Sequence, residues 1–196
     1  MAEADIAHQQ MVKFWQARST LRIIYTGQKE RIENLVRDRL GPQEYFQDML
    51  DFGCGTGRFM PFWQFYAGHI WAVDLLDNVL REVTTQGSNV TPILGAYPPC
   101  FHKLMPPVDL FWGCLVFQHM VNDALFNETA AELSKVIKPG ARVIILDNAV
   151  DVAAHVKPRG PEELSKALGL REGFKAVKVT INKKPDDHWL IDGHKK

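Results

Sequence analysis

Residues 50–57 read LDFGCGTG: a carboxylate, Asp51, stands just ahead of glycines at positions 53, 55 and 57, and Arg58 follows. Glycine allows main-chain turns with positive φ and leaves no Cβ between a ligand and the backbone. Bare backbone of this kind, followed by a helix whose first N–H groups are unpaired, suits a nucleotide-like ligand. Two ligand classes compete for it. The dinucleotide fingerprint G-x-G-x-x-G requires a third glycine at position 58, where this chain has Arg. A carboxylate beside a pyrophosphate is also repulsive in a partly dry site, whereas a ligand with cationic groups is attracted. The stretch therefore favours a cationic nucleotide-like ligand over a nicotinamide dinucleotide, and a nicotinamide oxidoreductase is the disfavoured competitor.

Positioning such a turn requires a strand before it and a helix after it, and the chain supplies that alternation repeatedly. Strand-like apolar runs occur at 45–52, 68–74, 89–94, 108–114 and 141–148, with amphipathic stretches near 57–67, 77–86 and 122–137 between them. Alternating strands and helices imply parallel crossovers and a sheet covered on both faces. Lys138-Pro139-Gly140 reads as a turn, and Asp77-Asn78 as a helix N-cap. After a short helix at 161–169, the runs 174–182 and 187–194 joined by KKPD form a hairpin, so the sheet ends with an antiparallel strand. Ahead of all this, two helical pieces fill the first 40 residues, the second with Ile32, Leu35, Val36 and Leu40 on one face. The expectation is one doubly wound α/β domain over 1–196, with a helical N-terminal cap at 1–44 and a Rossmann-like core at 45–196.

Composition narrows the function class. At 196 residues and 46% hydrophobic, the chain can bury one substantial core. No run approaches a membrane span, and the N-terminus lacks an apolar signal core, so a soluble cytoplasmic protein is expected. Cys54, Cys100 and Cys114 are widely spaced with no CxxC pattern, which fits a reduced compartment and gives no zinc or other metal site. Lys plus Arg equals Asp plus Glu at 23 each, so nucleic acid is not indicated as a partner by net charge. The charge is uneven, with seven basic and three acidic residues over 13–39 and eight and three over 157–184. Solvated helix and hairpin faces account for these flanks, with an anionic acceptor as the minority alternative.

Hydrophobic-Asp-x-Gly-Cys-Gly-x-Gly is the first motif of the class I S-adenosylmethionine-dependent methyltransferases, and LDFGCGTG resembles it position for position. The resemblance extends over about residues 45–196. It implies S-adenosyl-L-methionine as the methyl donor, S-adenosyl-L-homocysteine as its product, and a seven-stranded sheet of order 3-2-1-4-5-7-6. It also implies a donor site made of Asp51, Gly53, Cys54, Gly55 and Gly57, with Asp74 and its neighbour Leu75 at the ribose. A carboxylate suits that place because it accepts from two hydroxyls. Gly113, at the end of the fourth strand, is implied to lend main-chain oxygen to the methionine ammonium. Where the family has a Gly-Asp pair for adenine, this chain reads Gly95-Ala96-Tyr97. Main-chain groups at Ala96 and the ring of Tyr97 are then the implied contacts, with Tyr97 as an apolar loop anchor the alternative.

Methyl transfer from a sulfonium is an in-line displacement with an already activated donor, so alignment and water exclusion carry the catalysis. A general base is needed only when the acceptor atom carries a proton. His119 is the leading candidate, with His102 and Tyr97 behind it, and a structural histidine is the alternative for each. Trp15, Arg18, Arg22 and Tyr25 of the cap either close over the donor or belong to a helix packed on the sheet edge. The Asn/Asp/Ser-Pro-Pro-aromatic signature of amino-methylating nucleic-acid enzymes is absent. The expectation is a small-molecule acceptor, with a nucleic-acid or protein methyltransferase and a non-catalytic donor-binding partner protein as alternatives.

Overall fold

Each of the seven apolar runs forms a strand. A computed structural model describes residues 3–17, 26–95, 99–150, 155–181 and 187–196. Its strands are β1 (Phe46–Phe52), β2 (Ala67–Asp74), β3 (Val90–Leu94), β4 (Val108–Cys114), β5 (Ile137–Asn148), β6 (Lys175–Val179) and β7 (His188–His194). They pair in the order β3-β2-β1-β4-β5-β7-β6. Strands β1 to β5 run parallel, and β7 lies antiparallel to both β5 and β6. Both the order and the antiparallel seventh strand agree with the sequence reading.

The helices are α1 (Glu3–Gln16), α2 (Thr26–Arg37), α3 (Met60–Trp63), α4 (Asp77–Val83), α5 (Phe101–Leu104), α6 (Asp123–Val136) and α7 (Pro161–Leu168). Side chains alternate across the strands, so the sheet buries two cores. One gathers Met49, Ile70, Leu110, Trp112 and Ile144 under Ile32 and Val36 of α2 and Trp63 of α3. The other gathers Leu50, Val73, Phe111, Val143 and Ile145 under Phe126 and Leu133 of α6 and Leu164 and Leu168 of α7. Met11 of α1 packs against this second core. The two N-terminal helices thus serve opposite faces. Continuous apolar runs such as Val143–Leu146 follow from a strand covered on both sides.

Four local expectations are revised. The helix expected at 57–67 shrinks to Met60–Trp63, because Phe65 and Tyr66 already bond the carbonyls three residues back before β2 starts at Ala67. Lys138-Pro139-Gly140 is not a free turn. It lies within β5, where Gly140 takes φ +83 and the pairing with β4 shifts between Val108 and Leu110. Asp77 is not the N-cap of α4: Leu76 holds that position with no side-chain cap bond, and Asp77 in the first turn pairs with Arg81 one turn on. The short helix α5 has no counterpart in the sequence reading. By contrast α6 starts on a true cap, the Asn122 carbonyl oxygen accepting from the Leu125 N–H at 2.9 Å.

Candidate functional site

Strand register brings the motif residues to one place. Phe52 pairs with Val73 on one side and Gly113 on the other, so Gly53, Asp74 and Cys114 stand at the carboxyl ends of three adjacent strands. In open parallel sheets this edge is where ligands bind. The Gly53 and Cys54 N–H groups donate to Val73 O at 2.8 and 3.0 Å, which bends the chain sharply out of β1. Gly53 takes φ +75, and a Cβ there would lie 2.6 Å from Val116 Cγ2, so this glycine is required by packing. Gly55, at φ +55, has nothing within 4 Å of the same point. That side of the turn is open, as a backbone cradle for a ligand requires.

The Gly57 N–H is already taken by Cys54 O at 3.0 Å, and α3 is only four residues long. The row of free helical N–H groups expected behind the glycines is therefore replaced by tight turns.

Two carboxylates flank the cradle. Asp74 accepts from the Gly55 N–H at 2.8 Å through Oδ2 and from the Leu76 N–H at 3.1 Å through Oδ1. Burial raises its pKa, and these main-chain bonds, with one from Leu75, oppose that shift. Asp51 is fully buried, and burial lifts its pKa to about 7; the Arg58 charge pulls it down and Asp74 pushes it up. A buried carboxylate without full compensation favours a cationic ligand. The Arg58 guanidinium lies over the Phe59 ring at 4.5 Å and reaches Cys114 Sγ at 3.6 Å, leaving Nη1 buried without a hydrogen bond. Burial pushes the Cys114 thiol up to about 12 and raises that of Cys54 well above its usual value. Both cysteines are inert walls here, not nucleophiles.

At the end of β4 the chain passes Gly113 and Cys114 into Leu115, the non-glycine residue with positive φ, +57, among the described residues. Its N–H donates to Leu146 O at 2.7 Å. The 3-10 turn Phe117–His119 follows, and there four rings meet. Trp15 contacts His119 edge-on at 4.6 Å, Phe14 lies 4.6 Å from His155, and His119 and His155 stack at 5.8 Å. Helix α1 is thus fastened to the loops after β4 and β5. Burial is the main cause holding the His119 pKa down to about 4, with the His155 ring adding to it against the bond to the His155 carbonyl.

The remaining candidates separate from this edge. His102 bonds Glu132 on α6 through both its main chain and its ring. Also away from this edge, though not a candidate, Asp109 near the start of β4 pairs with Lys138 at 2.7 Å and accepts from the Asp48 N–H. Ala96, Tyr97, Arg18, Arg22 and Tyr25 lie outside the described residues. Among the described residues no group of three or more His, Cys, Asp or Glu gathers to hold a metal, and no helix is long and apolar enough to cross a membrane. Sequence reasoning missed Asp147, fully buried at the end of β5 and raised to about 7 by burial against bonds from the Asn148, Gln118 and Phe117 N–H groups. A lone acid closing the run VIILD was its visible signal. Gln118 carried none.

The donor S-adenosyl-L-methionine is compatible with these residues: an open glycine face, a carboxylate at the end of β2 beside it, and a buried acid suited to a cation. Residues 50–145 match the family model for a methyltransferase domain. No curated protein sequence matches the chain. Among solved structures, the N-methyltransferase NodS of Bradyrhizobium japonicum WM9 with S-adenosyl-L-homocysteine aligns at TM-score 0.72 and 15% identity, over 96% of this chain and 98% of NodS. The 1,6-didemethyltoxoflavin-N1-methyltransferase of Burkholderia thailandensis, with its acceptor and S-adenosylhomocysteine, aligns at 0.71 and 17% over 100% of this chain and 91% of that one. The DhpI complex with the same product aligns at 0.69 and 17%, over 96% and 97%. These likenesses are of fold; the match of residues 50–145 to the methyltransferase-domain model and the LDFGCGTG motif within it add to them, and together they support a class I S-adenosylmethionine-dependent methyltransferase.

Proposed function

We propose that this enzyme transfers the methyl group to a small-molecule acceptor, and that residues 1–196 act as one unit in the cytoplasm. The observation that carries the reading is the ring cluster of Phe14, Trp15, His119 and His155, which joins α1 to the loops at the donor edge. Aromatic rings gathered beside the donor edge suit a small acceptor and the exclusion of water from the displacement. The structural neighbours include an enzyme crystallised with 1,6-didemethyltoxoflavin, a small molecule, which supports the same class. A nucleic-acid acceptor is less favoured, because Lys157 and Arg159 of the basic tail are paired with Asp123 and Glu163. The free cysteines support a reducing compartment.

When bound, the donor supplies a methyl carbon on a sulfonium, whose C–S electron pair leaves with sulfur as the acceptor lone pair forms the new bond. The chain's own part is placement. In this reading Asp74, with Leu75, receives the ribose hydroxyls; Gly53, Cys54, Gly55 and Gly57 give the backbone cradle; Asp51 and the Gly113 carbonyl face the ammonium; Ala96 and Tyr97 border the adenine. His119 stands on the acceptor side. Alignment of this kind is worth roughly 7–11 kcal/mol of barrier.

The test is to incubate the purified protein with methyl-labelled donor and fractionated cell extract. Label is expected in the low-mass fraction. Label in protein or RNA overturns the acceptor class, and label nowhere, with no heat of binding for S-adenosyl-L-homocysteine, overturns the enzyme reading.

A further inference from the structure

Gln118 is buried between the end of β5 and the ring cluster, and its neighbours orient its amide. The Asn148 main-chain N–H, shared with Asp147 Oδ1 at 2.9 Å, points at the side-chain oxygen of Gln118 at 3.2 Å, while the Leu115 carbonyl, which can only accept, faces the other end of the amide. Gln118 Nε2 is therefore the donor end, and it lies 3.5 Å from Leu115 O and 3.1 Å from His119 Nε2. A donor facing His119 Nε2 requires a lone pair there. The other ring nitrogen agrees with this. His119 Nδ1 sits 3.5 Å from the His155 carbonyl, which can only accept, so a hydrogen on Nδ1 makes that long contact favourable. Behind Gln118, the Asp147 carboxylate takes the Gln118 and Asn148 N–H groups at 3.1 and 2.9 Å and fixes both main chains.

We propose that Gln118 is a positioning residue: it holds His119 as the Nδ1–H tautomer, so that the ring meets the methyl acceptor as a hydrogen-bond donor and not as a general base. Nε2 is already occupied, whereas the Nδ1 contact with His155 is long and readily exchanged for a substrate oxygen or ring nitrogen. The acceptor class that fits is a nucleophile bringing its own lone pair, such as a neutral amine or heteroaromatic nitrogen, with a hydrogen-bond acceptor beside it. The role toward substrate rests on the methyltransferase reading; the tautomer does not. The groups bearing on the ring are the His155 imidazole, stacked on it, and the uncharged Trp15 edge from α1. Asp147 stands behind Gln118, and Arg159 bears on Asp147.

Nitrogen-15 NMR of the histidine rings in the full chain tests this, with His119 assigned by its loss in His119→Gln. In the wild type the expected signature is a bare Nε2 and a protonated Nδ1, unchanged from about pH 5 to 8. Gln118→Glu turns the facing donor into a carboxylate and should raise the protonation constant of His119 at least about tenfold. Gln118→Met, which keeps the volume, should release the tautomer into a mixture. An Nε2–H ring in the wild type overturns the proposal, as does Gln118→Glu titrating like the wild type. Calorimetry with S-adenosyl-L-homocysteine on the same wild-type sample reports separately: no binding would sink the methyltransferase reading and leave the tautomer result standing.

Discussion

The main-chain N–H of Gly55 donates to Asp74 Oδ2 at 2.8 Å, tying the glycine turn of β1 to the end of β2. Both halves of the proposed donor site are thereby fixed relative to each other, which would lower the ordering cost of binding. The same carboxylate keeps lone pairs for two hydroxyls.

Asp74→Ala should therefore remove ligand contacts and loosen the turn together. Hydrogen bonds to a charged group are worth about 1.5–3 kcal/mol each, so S-adenosyl-L-homocysteine affinity should fall roughly 100-fold by calorimetry. Retention of wild-type affinity would remove Asp74 from the ribose.

Asp51 makes stability depend on pH in a stated direction. Its carboxyl is raised to about 7 in the folded chain, against about 3.9 unfolded. Between these values the folded state binds more protons, so this contribution is fully present below about pH 4 and is lost as pH rises through about 7. Asp147, raised to about 7 as well, acts in the same sense. Asp51→Asn should flatten the slope and stabilise the ligand-free protein at pH 8 by about 1–3 kcal/mol in urea titrations, while weakening donor binding. An unaltered slope would mean that the buried acid is compensated by other charges.

Gly53→Ala and Gly55→Ala should fail differently. The first drives a methyl group into Val116 at a backbone φ of +75 and should cost the fold about 2–4 kcal/mol, read as a lower melting temperature. The second meets open space, so about 1–2 kcal/mol of backbone strain is the main penalty and loss of S-adenosyl-L-homocysteine binding the main effect. Equal stability losses with intact binding in Gly55→Ala would move the ligand away from this face.

Trp15→Ala removes the edge contact with His119 at 4.6 Å. An aromatic pair is worth about 0.5–1.5 kcal/mol beyond its area, so amide exchange in α1 should quicken roughly tenfold with donor affinity unchanged. Slow exchange in the variant would show that the other contacts of α1, among them Met11, the Asn122–Glu3 bond and Phe14 on His155, suffice to hold the helix.

Much of this protein was legible in one dimension, because the relevant physics is local or periodic. The apolar runs that a two-sided sheet requires mark all seven strands, and LDFGCGTG carries its own backbone geometry: glycines 53, 55 and 57 all take positive φ. The order of strands followed from resemblance, and the pairing agrees with it. Boundaries were less legible: α3 is cut short by the entry of β2, and β5 runs through a Lys-Pro-Gly that reads as a turn, because neighbouring strands override local turn chemistry. The proposed acceptor side was legible only in part: His119 and Trp15 stood out in the sequence, but their meeting did not. Phe14, His119 and His155 are more than 30 residues apart in sequence, and no spacing announces that α1 brings Phe14 and Trp15 onto the two histidines. The tautomer proposed for His119 lies further still from the sequence, since it turns on where the Asn148 N–H and the Leu115 and His155 carbonyls stand once the strands have paired. The glycine motif was written in the residues; the ring cluster was decided by tertiary contacts, because side chains from α1 and from the loops after β4 and β5 meet only when the sheet has assembled.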